Sequence, residues 1–384
     1  MKTLLYDLYS AQPDKNVKIH GGGEYIKKLF EYLVSFNNEE YKLIVFYDKD
    51  KFLDDNILDM IQIRRVEAYD VKNEDDIQKL LGRVGDRCEY FYTGLLGLYK
   101  NIDFPRDMKR IATLHGLRDL EIGFDSYKRY YYSNKAFFKE IINLPLYNRR
   151  KKLKIKRTSN LIDKFDRIIV DSKHTRYALR TWLDVDLKKE IMEAYPPPTG
   201  DAEISITDEK EAKSLSGYAL IISASRYEKN AVRAIFALDN LFSKSLLGDL
   251  KVIVCGSIPE KAKNRIVHFE RFTEYGYVSG SFLQALYKNC DFFIYPSVNE
   301  GFGYPPIEAM KYGKTCVVGA VCSLPEICGD AVYYVNPYDI KEVENRILQA
   351  CDSKIEENTI KNQYSTMNQL QKESLNKIKD FIFK

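Results

Sequence analysis

Short apolar segments rich in β-branched and aromatic residues alternate with amphipathic segments throughout the second half of the chain. The clearest apolar segments are YALIISAS (218–225), LKVIVCGS (250–257), DFFIYPS (291–297) and KTCVVGA (314–320). Amphipathic segments such as NAVRAIFALDNLF lie between them. Strands that alternate with helices at this spacing form βα units, whose strands are parallel and whose helices cover the sheet. The pattern therefore predicts a doubly wound parallel sheet.

The first half of the chain shows the same alternation less clearly. Its predicted strands are YKLIVFYD (41–48), EYFYTG (89–94), RIATLHG (110–116) and DRIIVDS (166–172), with helical segments such as GEYIKKLFEYLVSF between some of them. The chain has 384 residues, of which 45% are hydrophobic and 30% are charged, which is a globular composition at a length typical of two domains. We therefore predict an α/β protein with two Rossmann-like doubly wound domains.

The joint between the two domains is predicted in EAYPPPTGDAE (193–203), because three consecutive prolines prevent regular structure. This gives an N-terminal domain at 1–195 and a C-terminal domain at 196–365. The remaining tail, 366–384, has the pattern of a terminal amphipathic helix.

Composition excludes several classes of function. A net charge of +4 is modest for this size, and no nucleic-acid-binding motif accompanies it, so we expect no nucleic acid partner. No signal peptide and no apolar run of membrane-spanning length is evident.

The seven cysteines are an odd number, and several lie in strand-like runs, which is typical of reduced thiols in a cytoplasmic protein. Cys316, Cys322 and Cys328 are evenly spaced, but no histidine or fourth thiol lies nearby, so we expect no metal there.

The segment NEGFGYPPIEAM (299–310) follows a predicted buried strand and carries Glu300 and Glu308 seven residues apart in an unusual setting of glycines and prolines. Its loop consists of Gly301, Phe302 and Gly303 and leads into a predicted helix N-terminus. Free backbone amides and the helix dipole there favour an anionic or hydroxyl-rich ligand. We place Glu308 in the first helical turn. Helix capping is the alternative interpretation; it explains Glu308 but not Glu300 beside two glycines.

A second candidate site loop is SRYEKN, which follows the predicted strand at 218–225. Arg226 and Lys229 place two cations beside a helix N-terminus, where they can bind a diphosphate, and Asn230 is positioned to cap that helix. The alternative is a solvated charged turn, which this loop alone does not exclude.

Two features of the first half are further candidates. KIHGGGEYIKKL opens a helix with three glycines, and Gly22 and Gly23 let the backbone approach a donor ligand closely. This is not the dinucleotide fingerprint, because the glycine spacing differs. His115 ends a predicted strand; a lone histidine is usually structural, so its interest comes from its place at a strand's carboxyl end.

These residues carry a family resemblance. The segment GYVSGSFLQALYKNCDFFIYPSVNEGFGYPPIEAMKYGKTCVVGAVCSLPEICGDAVYYVNPYDIKEV closely resembles the C-terminal half of the retaining GT-B glycosyltransferases of family 4, the glycosyl transferases of group 1. The hallmark is the E-x7-E motif, here Glu300 and Glu308. SLPEICGDAV and VNPYD also resemble the family, and the specific match covers 218–350. The first half is similar only through GGGEYIKKL, ATLHG and DRIIVDSKHTRYAL.

The resemblance implies two Rossmann-like domains facing a central cleft, with a last helix that packs back on the N-terminal domain. It implies that Glu300 contacts the donor sugar and Glu308 the ribose hydroxyls. Arg226 and Lys229 would stabilise the departing diphosphate, across a loop shorter than in many members. The other implied contacts are backbone amides of Gly301, Phe302 and Gly303 to sugar and phosphate, Tyr277 and Val278 beside the base, and His115 near the donor sugar, where Gly116 replaces the aspartate that often follows.

The implied activity is retaining transfer of a sugar from a UDP- or GDP-linked donor to a glycan or polyprenyl-linked acceptor, in surface polysaccharide or lipopolysaccharide assembly. No metal or other cofactor is expected, since Arg226 and Lys229 can stabilise the leaving group; the Asp184-Val185-Asp186 sequence is interpreted as surface charge. A nucleotide-sugar epimerase or a phosphorylase on the same fold is the alternative enzyme. A catalytically inactive sugar-nucleotide-binding scaffold is the alternative outside enzymes.

The stretch SYKRYYYSNKAFFKEIINLPLYNRRKKLKIKR (126–157) mixes aromatic and basic residues. Basic residues attract anionic lipids and aromatic residues favour the membrane interface, so the stretch is a candidate contact with an anionic membrane surface. A solvated helix pair with a basic end is the alternative. We therefore expect a cytoplasmic protein, with the inner face of the cell membrane as a candidate peripheral location.

Overall fold

A computed structural model describes residues 1–13, 21–36, 40–183, 185, 189–199 and 202–384. Asp184 and Asp186 lie outside the described residues. Among the described residues, no helix has both the length and the apolar character that a bilayer span requires.

All strands of the described residues pair in parallel. They are β1 (Lys2–Asp7), β2 (Tyr41–Tyr47), β3 (Glu67–Asp70), β4 (Tyr90–Thr93), β5 (Lys109–Leu114), β6 (Arg167–Val170), β7 (Glu190–Glu193), β8 (Tyr218–Ile221), β9 (Lys251–Cys255), β10 (Phe272–Tyr275), β11 (Phe292–Tyr295), β12 (Thr315–Gly319) and β13 (Tyr333–Val335).

The α-helices connect most of these strands. They are α1 (Gly21–Val34), α2 (Asp55–Ile63), α3 (Glu74–Val84), α4 (Arg118–Glu121), α5 (Lys128–Tyr131), α6 (Asn134–Ile142), α7 (Tyr147–Ile162), α8 (Lys173–Trp182), α9 (Ile206–Ser214), α10 (Ala231–Ser243), α11 (Glu260–Lys263), α12 (Gly280–Asn289), α13 (Tyr304–Lys311), α14 (Leu324–Cys328), α15 (Ile340–Asp352) and α16 (Glu357–Ile382).

The chain divides into two compact units. The first comprises Met1–Leu117, Lys152–Thr199 and Gln369–Lys384, and the second comprises Arg118–Lys151 and Gly200–Asn368. The predicted division at 195 and 196 differs from this mainly at Arg118–Lys151, which the sequence assigned to the N-terminal domain. The contacts of that segment explain the difference: the Tyr130 side chain is part of the second unit's hydrophobic core.

The first unit is built on a sheet with strand order β3-β2-β1-β4-β5-β6-β7. Its inner strands are largely buried, as expected for a parallel sheet covered by helices, whereas the edge strands β3 and β7 are partly exposed. The end of α16 belongs to this unit, where Ile378 and Ile382 join the hydrophobic core that includes β1 and β2. A hydrogen bond also attaches this part of α16 to the rest of the unit: the Gln371 side-chain amide donates to the backbone carbonyl of Pro196 at 2.9 Å.

The second unit is built on a sheet with strand order β10-β9-β8-β11-β12-β13. From β8 the chain winds outward through β9 and β10 in one direction, then returns to β11 and winds outward the other way. The strand order therefore reverses between β8 and β11, and in doubly wound sheets the carboxyl ends of the strands at such a reversal form the ligand-binding crevice. Both sheets confirm the predicted fold class.

Candidate active site

Glu300 lies in the loop that leaves β11 at this reversal point, and its side chain is buried. Its Oε1 accepts hydrogen bonds from Lys229 Nζ at 2.7 Å and from the Tyr295 hydroxyl at 2.6 Å. Ser297 Oγ lies 2.7 Å from the same oxygen. The carboxylate is therefore held against the end of β11 by three polar groups in a dry environment.

Lys229 comes from the loop after β8, the neighbouring strand. It ends a short 3₁₀ turn at Tyr227–Lys229, and Asn230 follows in the left-handed conformation with φ of 57°. The Asn230 side chain donates to the carbonyls of Pro296 and Pro337 at 2.9 Å and 2.6 Å, so it ties the loop after β8 to the loop after β11. Asn230 occupies the N-cap position of α10 as predicted, but its side chain makes no capping hydrogen bond, because its Oδ1 accepts instead from Arg233 Nη1 at 2.7 Å.

The Lys229–Glu300 pair is a buried ion pair. Burial alone raises the pKa of the Glu300 carboxyl, but the charge of Lys229 and the hydrogen bonds from Lys229, Ser297 and Tyr295 outweigh it, and the net pKa is lowered from its ordinary value. The carboxylate is therefore ionised at neutral pH. A fixed anion beside a buried cation can orient a polar ligand without moving a proton.

The glycine-containing loop leads into α13 as predicted. Gly303 adopts φ of 113°, and a Cβ there would lie 2.6 Å from Leu324 Cδ2, so only glycine fits both the backbone and the space. The Ser323 hydroxyl donates to the carbonyl of Phe302 at 2.7 Å, and the Phe302 side chain is buried. Whether the amides of Gly301, Phe302 and Gly303 bind sugar or phosphate stays a prediction.

Glu308 is half-buried on α13, where it is the fifth residue of the helix. The prediction that it lies in the first turn is wrong by about one position, because α13 begins at Tyr304. Its charge acts on Tyr287 of α12: burial raises the pKa of the Tyr287 hydroxyl most, and Glu308 raises it further. That hydroxyl has no hydrogen-bond partner among the residues that the structure describes.

Arg226 precedes the 3₁₀ turn and is half-exposed. Its Nε donates to Glu228 Oε1 at 2.9 Å. Burial raises the pKa of the Glu228 carboxyl, but the charges of Arg226 and Arg118 outweigh burial and lower it overall. Arg226 is therefore held in the loop by the ionised carboxylate of Glu228. Glu228 was not identified from the sequence, even though it is the residue before Lys229.

Tyr277 and Val278 lie between β10 and α12, where Tyr277 is exposed and Val278 is half-buried. Their role beside the base stays a prediction.

His115 lies in the first unit, at the carboxyl end of β5. Its Nδ1 is 3.2 Å from Asp171 Oδ2. Because the carboxylate oxygen accepts this hydrogen bond, Nδ1 is the ring nitrogen that carries the proton. Nε2 is then the ring nitrogen left for a further contact. Nε2 is buried, and no hydrogen-bond partner for it is found in the described part of the chain. Sequence reasoning missed Asp171, which follows β6.

Gly22 also belongs to this group in the first unit. A Cβ at Gly22 would lie 3.0 Å from Leu95 Cδ2 and 3.7 Å from His115 Cδ2, so glycine lets α1 begin close to the histidine. Gly23 is buried in the next position of the same helix. The structure thus brings Gly22 and His115 together in one unit, and Glu300, Lys229 and Arg226 together in the other.

Comparison with known proteins identifies the second half of the chain. Residues 205–366 match the family described as glycosyl transferases group 1. These residues form a group 1 glycosyltransferase domain. The resemblance to the glycosyl transferases of group 1 is therefore confirmed for these residues.

Curated relatives of this glycosyltransferase domain include mannosyltransferases. The serotype-specific mannosyltransferase WbdA of Escherichia coli is 41% identical over 76 residues, which is 19% of this chain and 9% of that protein. The O-antigen chain mannosyltransferase B of Escherichia coli is 44% identical over 75 residues, 20% of each chain. RfbU of Salmonella typhimurium, an O-antigen chain mannosyltransferase, is 30% identical over 149 residues, 38% of this chain and 41% of that protein. The matches thus span less than half the length of these relatives.

Solved glycosyltransferases share the fold of the whole chain. Sucrose-phosphate synthase from Thermosynechococcus elongatus has a TM-score of 0.72 at 14% identity, with 99% of this chain and 98% of that chain covered. HepE of Anabaena, solved with UDP and glucose, has a TM-score of 0.68 at 14% identity, with 99% of each chain covered. At this identity the likeness shows the fold alone, which is the GT-B class that the sequence predicted.

Proposed function

We propose that this chain is a retaining glycosyltransferase that transfers a sugar from a nucleotide-sugar to a glycan or lipid-linked acceptor in surface polysaccharide assembly. The observation that carries the proposal is the buried Lys229–Glu300 pair at the strand reversal of the group 1 domain. Nucleotide-sugars place a diphosphate next to a polyhydroxylated ring. A cation and a carboxylate that meet at the strand reversal match those two halves of the ligand.

In the proposed mechanism the bond between the anomeric carbon and the diphosphate oxygen breaks, and its electron pair goes to the diphosphate. Lys229 and Arg226 stabilise that developing negative charge. The acceptor hydroxyl attacks from the same face of the sugar, and its proton goes to a diphosphate oxygen. Glu300 acts by orienting donor hydroxyls: its Oε1 already accepts from Lys229 and Tyr295, which makes that oxygen a poor nucleophile. Glu308 binds the ribose hydroxyls, and His115 acts near the donor sugar.

The relatives and structural neighbours support a choice of donors to test. Curated relatives are named mannosyltransferases, so mannose is the first sugar to test. HepE is solved with UDP and with UDP-glucose, which supports a nucleoside diphosphate as the carrier. We propose that UDP or GDP is the leaving group and that no metal ion is needed, since Lys229 and Arg226 supply positive charge at the diphosphate.

We also propose that the acceptor is reached at an anionic membrane surface, through α6 and the start of α7. No side chain of α6 is buried. Phe138 and Ile142, four residues apart on one helical face, are 61% and 74% exposed, and Leu144 and Leu146 continue this apolar surface. Arg149 and Arg150 are exposed at the start of α7. Apolar side chains beside exposed arginines match the interface of an anionic bilayer, where each basic residue contributes about 1 kcal/mol.

The activity is tested by incubating the protein with radiolabelled GDP-mannose, UDP-glucose and related donors and a polyprenyl-linked glycan acceptor. The expected result is a longer, radiolabelled acceptor and free nucleoside diphosphate, with the anomeric configuration of the donor retained by NMR. The same result is expected in the presence of EDTA. An isomerised nucleotide-sugar would indicate an epimerase, and a sugar phosphate formed from inorganic phosphate a phosphorylase. Tight donor binding without any product would indicate a scaffold.

The membrane surface is tested by vesicle sedimentation. Wild-type protein is expected to bind vesicles that contain phosphatidylglycerol and not vesicles of phosphatidylcholine alone. Arg149→Gln combined with Arg150→Gln is expected to weaken binding by about thirtyfold, from the loss of roughly 1 kcal/mol per arginine. Lys372→Gln with Lys377→Gln, two exposed lysines of α16, is the matched control and is expected to bind normally. Equal binding of both double variants would contradict this part of the proposal.

A further inference from the structure

Arg118, the first residue of α4, meets the same carboxylate as Arg226. Arg118 Nη1 donates to Glu228 Oε1 at 3.0 Å, and Arg226 Nε donates to that oxygen at 2.9 Å. One carboxylate oxygen therefore holds two guanidinium groups side by side. Arg118 precedes this loop by more than a hundred residues in the chain, yet it belongs to the same compact unit.

The arrangement leaves both arginines accessible from solvent. Both side chains are about half exposed, whereas the Glu228 side chain beneath them is largely buried. The backbone of Glu228 is also fixed, because its carbonyl accepts from Val298 N at 2.9 Å. Val298 lies in the loop that carries Glu300. Glu228 is therefore a rigid anchor for the two cations, held next to the Lys229–Glu300 pair.

A second contact fixes α4 at its other end. Asn299 Nδ2 donates to Glu121 Oε2 at 2.8 Å, so α4 contacts the residue before Glu300 as well as the residue before Lys229. The four-residue helix is thereby placed against both site loops. This double attachment gives Arg118 a defined position rather than that of a loose surface side chain.

Three cations lie close together at this point. Arg118, Arg226 and Lys229 lie beside the carboxylates of Glu228 and Glu300, and Glu121 of α4 lies nearby against Asn299. Burial is the largest cause that lowers the pKa of Lys229, and the positive charges of Arg226 and Arg118 lower it further, so the three cations lie within electrostatic reach of one another. Their mutual repulsion would be relieved by a ligand with two or more negative charges.

We propose that Arg118 is a third cation of the donor site and contacts the diphosphate of the nucleotide-sugar together with Arg226, with Glu228 orienting both side chains. A guanidinium carries five N–H donors in a planar fork, and the contact with Glu228 occupies only the Nη1 end of Arg118. The remaining donors suit a phosphate oxygen. This inference rests on the proposed function, and it assigns a donor contact to the segment between β5 and α7.

The test measures binding of UDP and GDP by calorimetry, and of uridine and guanosine by saturation-transfer NMR. Arg118→Gln is expected to weaken nucleoside diphosphate binding about tenfold or more, as expected for loss of a charge-assisted hydrogen bond, and to leave nucleoside binding unchanged. Arg118→Lys, which keeps the charge without the fork, is expected to give an intermediate affinity. Arg271→Gln is the matched control, because Arg271 lies at the amino end of β10, whereas the site lies at the carboxyl ends of the strands.

The outcomes separate this inference from the proposed function. If wild-type protein binds nucleoside diphosphates and Arg118→Gln binds them equally well, the inference is overturned and the proposed function stands. If Arg118→Gln weakens nucleosides and nucleoside diphosphates alike, Arg118 has a structural role and the inference is again overturned. If wild-type protein binds neither UDP nor GDP, the proposed function itself fails.

Discussion

Lys229 Nζ lies 2.7 Å from Glu300 Oε1, and both side chains are less than a tenth exposed. The pair joins the loop after β8 to the loop after β11, the two strands between which the order of the second sheet reverses. A buried charge without its partner is costly, whereas a buried pair replaced as a whole by neutral groups often costs little. The unfolding free energies of single and double variants of this pair should therefore differ in a way that can be measured.

Lys229→Met is expected to lower the free energy of unfolding by about 3 kcal/mol, because it leaves the Glu300 carboxylate buried without its cation. Lys229→Met combined with Glu300→Gln is expected to be less destabilised than Lys229→Met alone. Urea denaturation of the two variants and of Glu300→Gln measures this coupling. Additive costs in the double variant would show that the two side chains do not interact.

The same pair predicts a pH dependence of stability. The pKa of Glu300 in the folded protein is lowered from its ordinary value of 4.5, so its contribution to stability is fully present above that value and is lost as the pH falls through the folded pKa. The difference in unfolding free energy between wild type and Glu300→Gln should therefore be constant near neutral pH and shrink below about pH 4.5. Denaturation curves recorded across this range measure it. A difference that grew on acidification would contradict the assigned ionisation.

A buried ion pair also attaches the segment Arg118–Lys151 to the second unit. Arg233 Nη2 lies 3.1 Å from both carboxylate oxygens of Asp125, and the Arg233 guanidinium stacks 3.8 Å from the ring centre of Tyr127. Asp125→Asn is expected to loosen this segment and to accelerate tryptic cleavage within 126–157 several-fold. Asp249→Asn, at a fully exposed aspartate of the same unit, is the control and should be cleaved at the wild-type rate. Identical cleavage of the two variants would show that the pair does not anchor the segment.

The two motif glutamates are expected to act differently. Glu308→Ala should weaken UDP or GDP binding about tenfold, since it removes the carboxylate that we propose accepts from two ribose hydroxyls. Glu300→Ala should largely spare binding and slow transfer. Calorimetry for binding and initial rates for transfer separate the two effects. Equal losses of binding in both variants would refute this division of roles.

The predictability of the fold from the sequence varied with strand position. The predicted strands at 41–48 and 291–297 contain β2 and β11, because buried parallel strands form long apolar runs. Five strands were missed. β1 is central and buried, but its apolar residues form only a short run next to Thr3 and Asp7, and β13 has only three residues. The other missed strands, β3, β7 and β10, are short edge strands that carry glutamates, as edge strands often do. Their apolar signal is too weak to distinguish them from loops.

The site residues identified from the sequence are those whose role is indicated by their immediate neighbours in the chain. Glu300, Lys229 and Arg226 follow apolar strands in loops of unusual composition, so strand ends and residue types indicated them. Glu228 and Arg118 were missed because their importance comes from a contact between residues far apart in the chain. The membership of Arg118–Lys151 in the second unit was missed for the same reason: it depends on the Asp125–Arg233 pair and on the packing of Tyr130.

The central claim is that the group 1 domain binds a nucleotide-sugar at the Lys229–Glu300 pair. A crystal structure of the protein with an unreactive analogue of its donor tests this most directly. We expect diphosphate oxygens within hydrogen-bond distance of Lys229 or Arg226, ribose hydroxyls on Glu308 and sugar hydroxyls near Glu300. A donor bound away from the carboxyl ends of β8 and β11, with Glu300 and Glu308 making no contact to it, would contradict the account.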